Sequence, residues 1–249
     1  MIRQRKPFER KWARHIKRAL RQSIERVLLI HDYENISRSD VYIRVNADPI
    51  RDVYIALYKD VGLHFAQNEQ AKFKRQGFRM ETKDEWTNIW VRQMETYAVN
   101  QVGRRISSVY AYTQEVIFDK LEVVIKEVQK EGLSISMATE RIQKSLSTSM
   151  GEVERWRAKR IAQTEIMTAS NKGAKIAADS LGIPMLQYWV VSGNNTRDSH
   201  YQAQSDNAHG VPMDGTFLVG GFQAEQPGDP SLPASEVINC HCAVIREPI

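Results

Sequence analysis

Apolar residues recur at three- and four-residue steps through the first two thirds of the chain, the period of an amphipathic helix. Ile16, Leu20, Ile24, Val27, Leu28 and His31 form one such stripe. Residues 35–48 read as turn-like, and Pro49 suits the first turn of a following helix, where a missing amide hydrogen costs nothing. Ile50, Val53, Tyr54, Leu57 and Val61 carry the period on until Gly77 interrupts it. Further helices are predicted over 84–102, through Trp86, Ile89, Trp90, Met94 and Tyr97, and over 109–131, closed by Gly132. Residues 134–146 predict a short helix with Ile135, Ala138, Ile142 and Leu146 inward. Ser149-Met150-Gly151-Glu152 then has the S-x-x-E form of a capping box, which predicts a new helix start. That helix would run through Trp156, Ile161, Ile166, Ala169 and Ala177 to about residue 181, where Gly182 and Pro184 stop it.

The pattern changes after this point. Six of the eight prolines and seven of the thirteen glycines lie beyond Leu181, so the chain there is loops and short strands. Residues 186–191, 216–219 and 243–245 are the β-prone runs. The predicted fold class is α+β: a long-helical N-terminal region, 1–133, followed by a smaller α+β domain, 134–249, with a long helix and short antiparallel strands. The polar loops of the second part are long enough to need a ligand, a partner or a metal to order them.

Composition narrows the function. At 249 residues the chain can bury a full core without staples. The longest apolar runs, such as Val27-Leu28-Leu29-Ile30, are too short to cross a bilayer, so no membrane association is expected. The basic N-terminus has no apolar h-region, so no secretory signal is expected either. Two cysteines do not make a disulfide framework, and a reducing compartment is the default. The net charge of +5 is concentrated: Arg3, Arg5, Lys6, Arg10, Lys11, Arg14, Lys17, Arg18 and Arg21 face the single acid Glu9. This arm is either a solvated helix face or a contact for a polyanion, nucleic acid or an acidic protein surface.

There is no Walker A loop, nucleophile elbow, H-E-x-x-H or dinucleotide fingerprint. The informative motifs lie in the last third. Arg160, Ile161, Ala162, Thr164 and Glu165 open a helical run that continues through Ala169, Asn171 and Gly173; Trp189 follows on a strand. Then come Thr196-Arg197-Asp198-Ser199-His200, Phe217, Pro227-Gly228, and Asn239-Cys240-His241-Cys242. In this order the set resembles the C-terminal domain of the phage minor head proteins, the Mu F-like and SPP1 head morphogenesis family, over residues 134–245. The chain departs from the family pattern at Gln163 and His241, where arginine is usual, and at Asn194 and Asn195, which replace an extra acid.

The resemblance implies a minor structural component of a tailed-phage head. Its partners would be the portal protein or the major capsid protein, with contact to packaged double-stranded DNA, and it would act in the virion head and in the host cytoplasm during assembly. Its motif residues would be Arg160, Thr164, Glu165, Arg197, Asp198, His200, Phe217 and Asn239. No toxin domain of the kind some relatives append is expected after Ile249.

Two chemical readings accompany it. Cys240 and Cys242 are two apart, so on a strand both thiols share a face, and with His200 and His209 they make a candidate tetrahedral zinc site. The alternative is a pair of buried thiols acting as small hydrophobes. Glu165 and Arg197 form an expected loop-to-helix ion pair. The competing functions are a metal-dependent nuclease or hydrolase using Glu165 or Asp198 beside His200, and a DNA-binding module using the basic arm.

Overall fold

The structure, a computed structural model, describes residues 2–30, 36–79, 83–100, 103–193 and 196–249. His31, Asn194 and Asn195 lie outside the described residues. The fold is α+β: long N-terminal helices followed by a small region of short antiparallel strands. The chain divides into two compact units, each discontinuous in sequence. One comprises 13–53 and 103–159, the other 1–12, 54–102 and 160–249.

The first unit is helical. It holds most of α1 (Ile2–Leu28), α2 (Arg38–Arg44), α5 (Gly103–Glu131) and the first half of α6 (Ile135–Asp179). The predicted stripe is inward: Ile24 and Val27 pack with Val41, Ile117, Leu121, Ile142 and Leu146 in one core. The stretch expected as a turn before Pro49 contains α2, because Ser37 and Asp40 form the reciprocal cap that starts a helix. The reverse happens at Ser149. Residues 134–146 and 149–181 were expected as two helices, whereas α6 runs unbroken across them. The turns before Ser149 are already helical and anchored by Ile142 and Leu146, so the amides there find carbonyls four residues back and need no cap.

The same core spans residue 133. Gly132, at φ 63°, makes the turn between α5 and α6, but both helices fill one core across it.

The second unit carries α3 (Asp48–Arg75) from Tyr54 onward, α4 (Lys83–Asn100) and the C-terminal half of α6. A three-stranded antiparallel sheet of order β2-β1-β5 follows, made of β1 (Met185–Val190), β2 (Val211–Pro212) and β5 (Ala243–Pro248). Burial along β1 alternates, with Met185, Gln187 and Trp189 inward, as one covered sheet face requires. A separate hairpin pairs β3 (Phe217–Val219) with β4 (Phe222–Ala224). Two short helices, α7 (Asp198–Asp206) and α8 (Ala234–Val237), sit in stretches expected as loop. Trp189 is the centre of this unit's core, with its ring 5.5 Å from His200 and 5.4 Å from Phe217.

Helix α6 crosses α3 at two glycines. A Cβ on Gly173 would lie 2.1 Å from the carbonyl oxygen of Gly62, and one on Gly62 would strike Met94 of α4. Glycine at both positions is therefore a packing requirement. Gly173→Ala should destabilise the protein by about 2–3 kcal/mol through overpacking. Gly151, also inside α6, has open space around its Cβ position, and Gly151→Ala should stabilise by about 0.5–1 kcal/mol. Urea midpoints measure both; equal effects at the two positions would refute the close crossing.

Candidate metal centre

The second half of α6 presents a row of buried polar side chains, Thr164, Glu165, Thr168 and Asn171, to the loops that follow it. Each finds a partner there or on α3, as buried polar groups must. Thr168 donates to the carbonyl of Gly228 (3.4 Å), and Thr164 Oγ1 accepts from the amide of Asn239 (3.4 Å). Asn171 Nδ2 donates to the carbonyls of Pro227 (3.4 Å) and Cys242 (3.3 Å), while its Oδ1 accepts from the amide of Val244 (3.3 Å). Three of the sequence motifs thus meet on one helix face.

The loop held this way brings its two thiols to His200. Asn239 enters it at φ 59°, a left-handed conformation that asparagine tolerates better than most residues. Cys240, Cys242 and His200 are 3%, 1% and 1% exposed. Their ligand atoms all lie within 4.8 Å of one another. His200 Nδ1 is 3.3 Å from Cys242 Sγ and 3.6 Å from Cys240 Sγ, although residues 240–242 precede β5 and are not in a strand.

The other ring nitrogen, Nε2, is 3.0 Å from Glu236 Oε2, which also accepts from the Ser199 hydroxyl at 2.8 Å. An ionised carboxylate only accepts, so in the neutral ring Nε2 carries the hydrogen and the Nδ1 lone pair faces the sulfurs. An imidazole oriented by a carboxylate with its free nitrogen aimed at thiols is the arrangement of a metal-ligating histidine. The N···S separations also match the edge of a tetrahedron built on ordinary zinc bond lengths, about 3.5 Å. The cluster could hold a metal ion.

Electrostatics distinguishes the two thiols. The Cys242 thiol is lowered to about 5, first by the hydrogen bond from Cys240, against the opposing effect of burial. Cys240 is raised, first by that same hydrogen bond and then by burial. Arg5 is packed against this loop and is lowered to about 10 by burial.

Cys242, His200 and Glu236 also line up as nucleophile, base and orienting acid. That chemistry needs substrate at the sulfur, and Cys242 is only 1% exposed. The pocket of about 560 Å³ in this unit lies elsewhere, between α4, α6 and the loop after β4, lined by Arg92, Tyr97, Lys172, Asp179, Glu225 and Asp229 among others.

Several expected roles are revised. His209 is exposed and outside the cluster. The Glu165–Arg197 ion pair does not form: Glu165 Oε2 accepts from the Tyr58 hydroxyl (2.6 Å), and Arg197 donates to the carbonyl of Ile238 (2.6 Å). Neither Glu165 nor exposed Asp198 faces His200; Glu236 does. Arg5 leaves the set of solvent-facing cations, because it is buried against Asn171 and the cysteine loop. Lys11 pairs with Asp60 at 2.8 Å. Arg3, Lys6, Arg10, Arg14, Arg18 and Arg21 are exposed and Lys17 is half-buried. Of the remaining motif residues, Phe217 is buried, Arg160 is half-buried and Asn239 is exposed.

Sequence reasoning missed Glu236 and the role of Arg5. No spacing marks Glu236, since it sits in a four-residue helix, and Arg5 is hidden among eight similar charges. Comparison of the chain with protein-family models, with curated proteins and with solved structures found no match.

Tyr58→Phe should cost about 1–3 kcal/mol, because it removes a buried hydrogen bond to a carboxyl group. Arg197→Ala should cost under about 1 kcal/mol, because its bond is solvent-exposed. Chemical denaturation reads both, and the reverse ranking would restore the Glu165–Arg197 pairing.

Proposed function

We propose that this protein is a non-catalytic minor component of a tailed-phage head, docking on the portal or the capsid interior during assembly and DNA packaging. The observation that carries this reading is the mutual dependence of the residues behind the family resemblance. Asn171 holds the Pro227 and Cys242 backbones, Thr164 holds Asn239, Thr168 holds Gly228, and Trp189 packs on Phe217 and His200. A set of residues that fails together is expected to recur together, which is what a family pattern is. Their shared task is to fix a small loop-rich unit, a structural purpose rather than a catalytic one. No described helix is long and apolar enough to cross a membrane.

On this reading the ion at His200, Cys240 and Cys242 is zinc. Two thiolates and an imidazole suit a borderline-soft divalent ion, and a clip of this kind suits loops with few apolar anchors. Zinc analysis of protein purified without chelator should give about one equivalent per chain, falling in Cys242→Ser. Metal-free protein whose melting is unaffected by chelator would leave the thiols as ordinary core residues.

The exposed arginines and lysines of α1 provide a secondary contact for the phosphates of packaged DNA. Such binding is indifferent to sequence and weakens steeply with salt as counterions are released. The decisive test mixes the purified chain with the portal protein of its phage. Co-sedimentation with portal rings that persists at high salt is expected, alongside duplex DNA binding that does not persist. No portal association at any salt would sink the head-component reading.

A further inference from the structure

We propose that Arg5 couples metal loading of the cysteine loop to docking of the first turns of α1, so that the two occur as one event. The proposal rests on metal binding at His200, Cys240 and Cys242.

The geometry is that of an outer clamp. Arg5 is 2% exposed, and its Nη1 donates to the carbonyl oxygens of His241 and Cys242, both at 3.1 Å. Its Nη2 donates to Asn171 Oδ1 at 3.3 Å, the same amide whose Nδ2 reaches the Cys242 carbonyl. The backbone of the ligating segment is therefore gripped from one side by a guanidinium and an amide. From the other side its two sulfurs converge on His200. Residues 1–12 belong to the same compact unit as this loop, so the clamp is internal to that unit.

Both events demand the same thing of residues 240–242. A metal ion requires two sulfurs at fixed points on one coordination sphere. A forked guanidinium requires two successive carbonyls at fixed points on one plane. Whichever forms first orders the segment, and the second no longer bears that cost. By linkage the benefit is reciprocal: metal tightens the docking of α1 by the factor that docked α1 tightens metal. The guanidinium also sets a full positive charge beside two sulfurs that must both be thiolates to hold the ion. Arg5 is in this sense a positioning residue for the metal, acting through backbone it does not share.

The test uses the full chain with zinc as the probe. Zinc affinity is measured by competition with a chromophoric chelator, and amide exchange of residues 6–12 is followed with and without zinc. Arg5→Ala should weaken zinc binding by about 10–100-fold, the range for loss of an outer-shell partner. Arg5→Lys, which keeps the charge and loses the fork, should also weaken it. Lys11→Ala, which removes a different anchor of α1 at Asp60, should leave the affinity within about twofold. In the natural chain zinc should slow exchange over 6–12. In Arg5→Lys zinc should still slow exchange over 240–244 and no longer over 6–12.

If Arg5→Ala does not fold, the zinc dependence of exchange in the natural chain decides the matter alone. Zinc bound by the natural chain with 6–12 unaffected, or with unchanged affinity in both Arg5 variants, overturns the coupling and leaves the metal site standing. A natural chain that binds no zinc overturns the metal site itself and the coupling with it.

Discussion

Asn171 is fully buried on α6, and both polar ends of its side chain are engaged, three of the four contacts being with backbone. Its nitrogen meets the carbonyls of Pro227 and Cys242; its oxygen meets the amide of Val244 and the guanidinium of Arg5. Loops that pass through an interior bring peptide groups with them, and each unpaired group would cost a large part of the protein's net stability. One amide on a rigid helix removes three such costs. The path of 226–244 over α6, and the meeting of two thiols with a histidine, follow from this constraint.

The cluster built on that constraint is buried. The His200 ring packs edge-on against Trp189, and the carboxylate that orients it is itself largely covered, at 14% exposure. The thiol, imidazole and carboxylate that would form a nucleophilic triad at a surface cleft are here largely covered. The same three side chains carry different chemistry according to whether water and substrate can reach them.

Glycines 62 and 173 add a second constraint of a different kind. They let α3 and α6 approach backbone to backbone, which sets how deeply the polar row of α6 sits and lets Tyr58 of α3 reach Glu165. Shape here decides the partners of charge: a carboxyl group assigned by spacing to a loop arginine belongs to a tyrosine on the adjacent helix.

The local features were written in the chain. Helix periods from Ile16 to Val27 and from Ile50 to Val61, the stop at Gly77 and the three main strands all follow from period, glycine placement and residue type, because these act over a few residues. Local signals also misled where context overrode them. Ser37-x-x-Asp40 caps a helix, while Ser149-x-x-Glu152 lies inside one that long-range packing had already fixed. Only the tertiary structure decided which cation of the basic arm is buried, which acid orients His200, and that each unit is assembled from separate stretches of chain. Arg5 and Cys242 are 237 residues apart in sequence, and His200 and Glu236 are 36 apart. Nothing in the spacing of either pair records their contact, because it is made by the crossing of helices and the path of loops rather than by any periodicity of the chain.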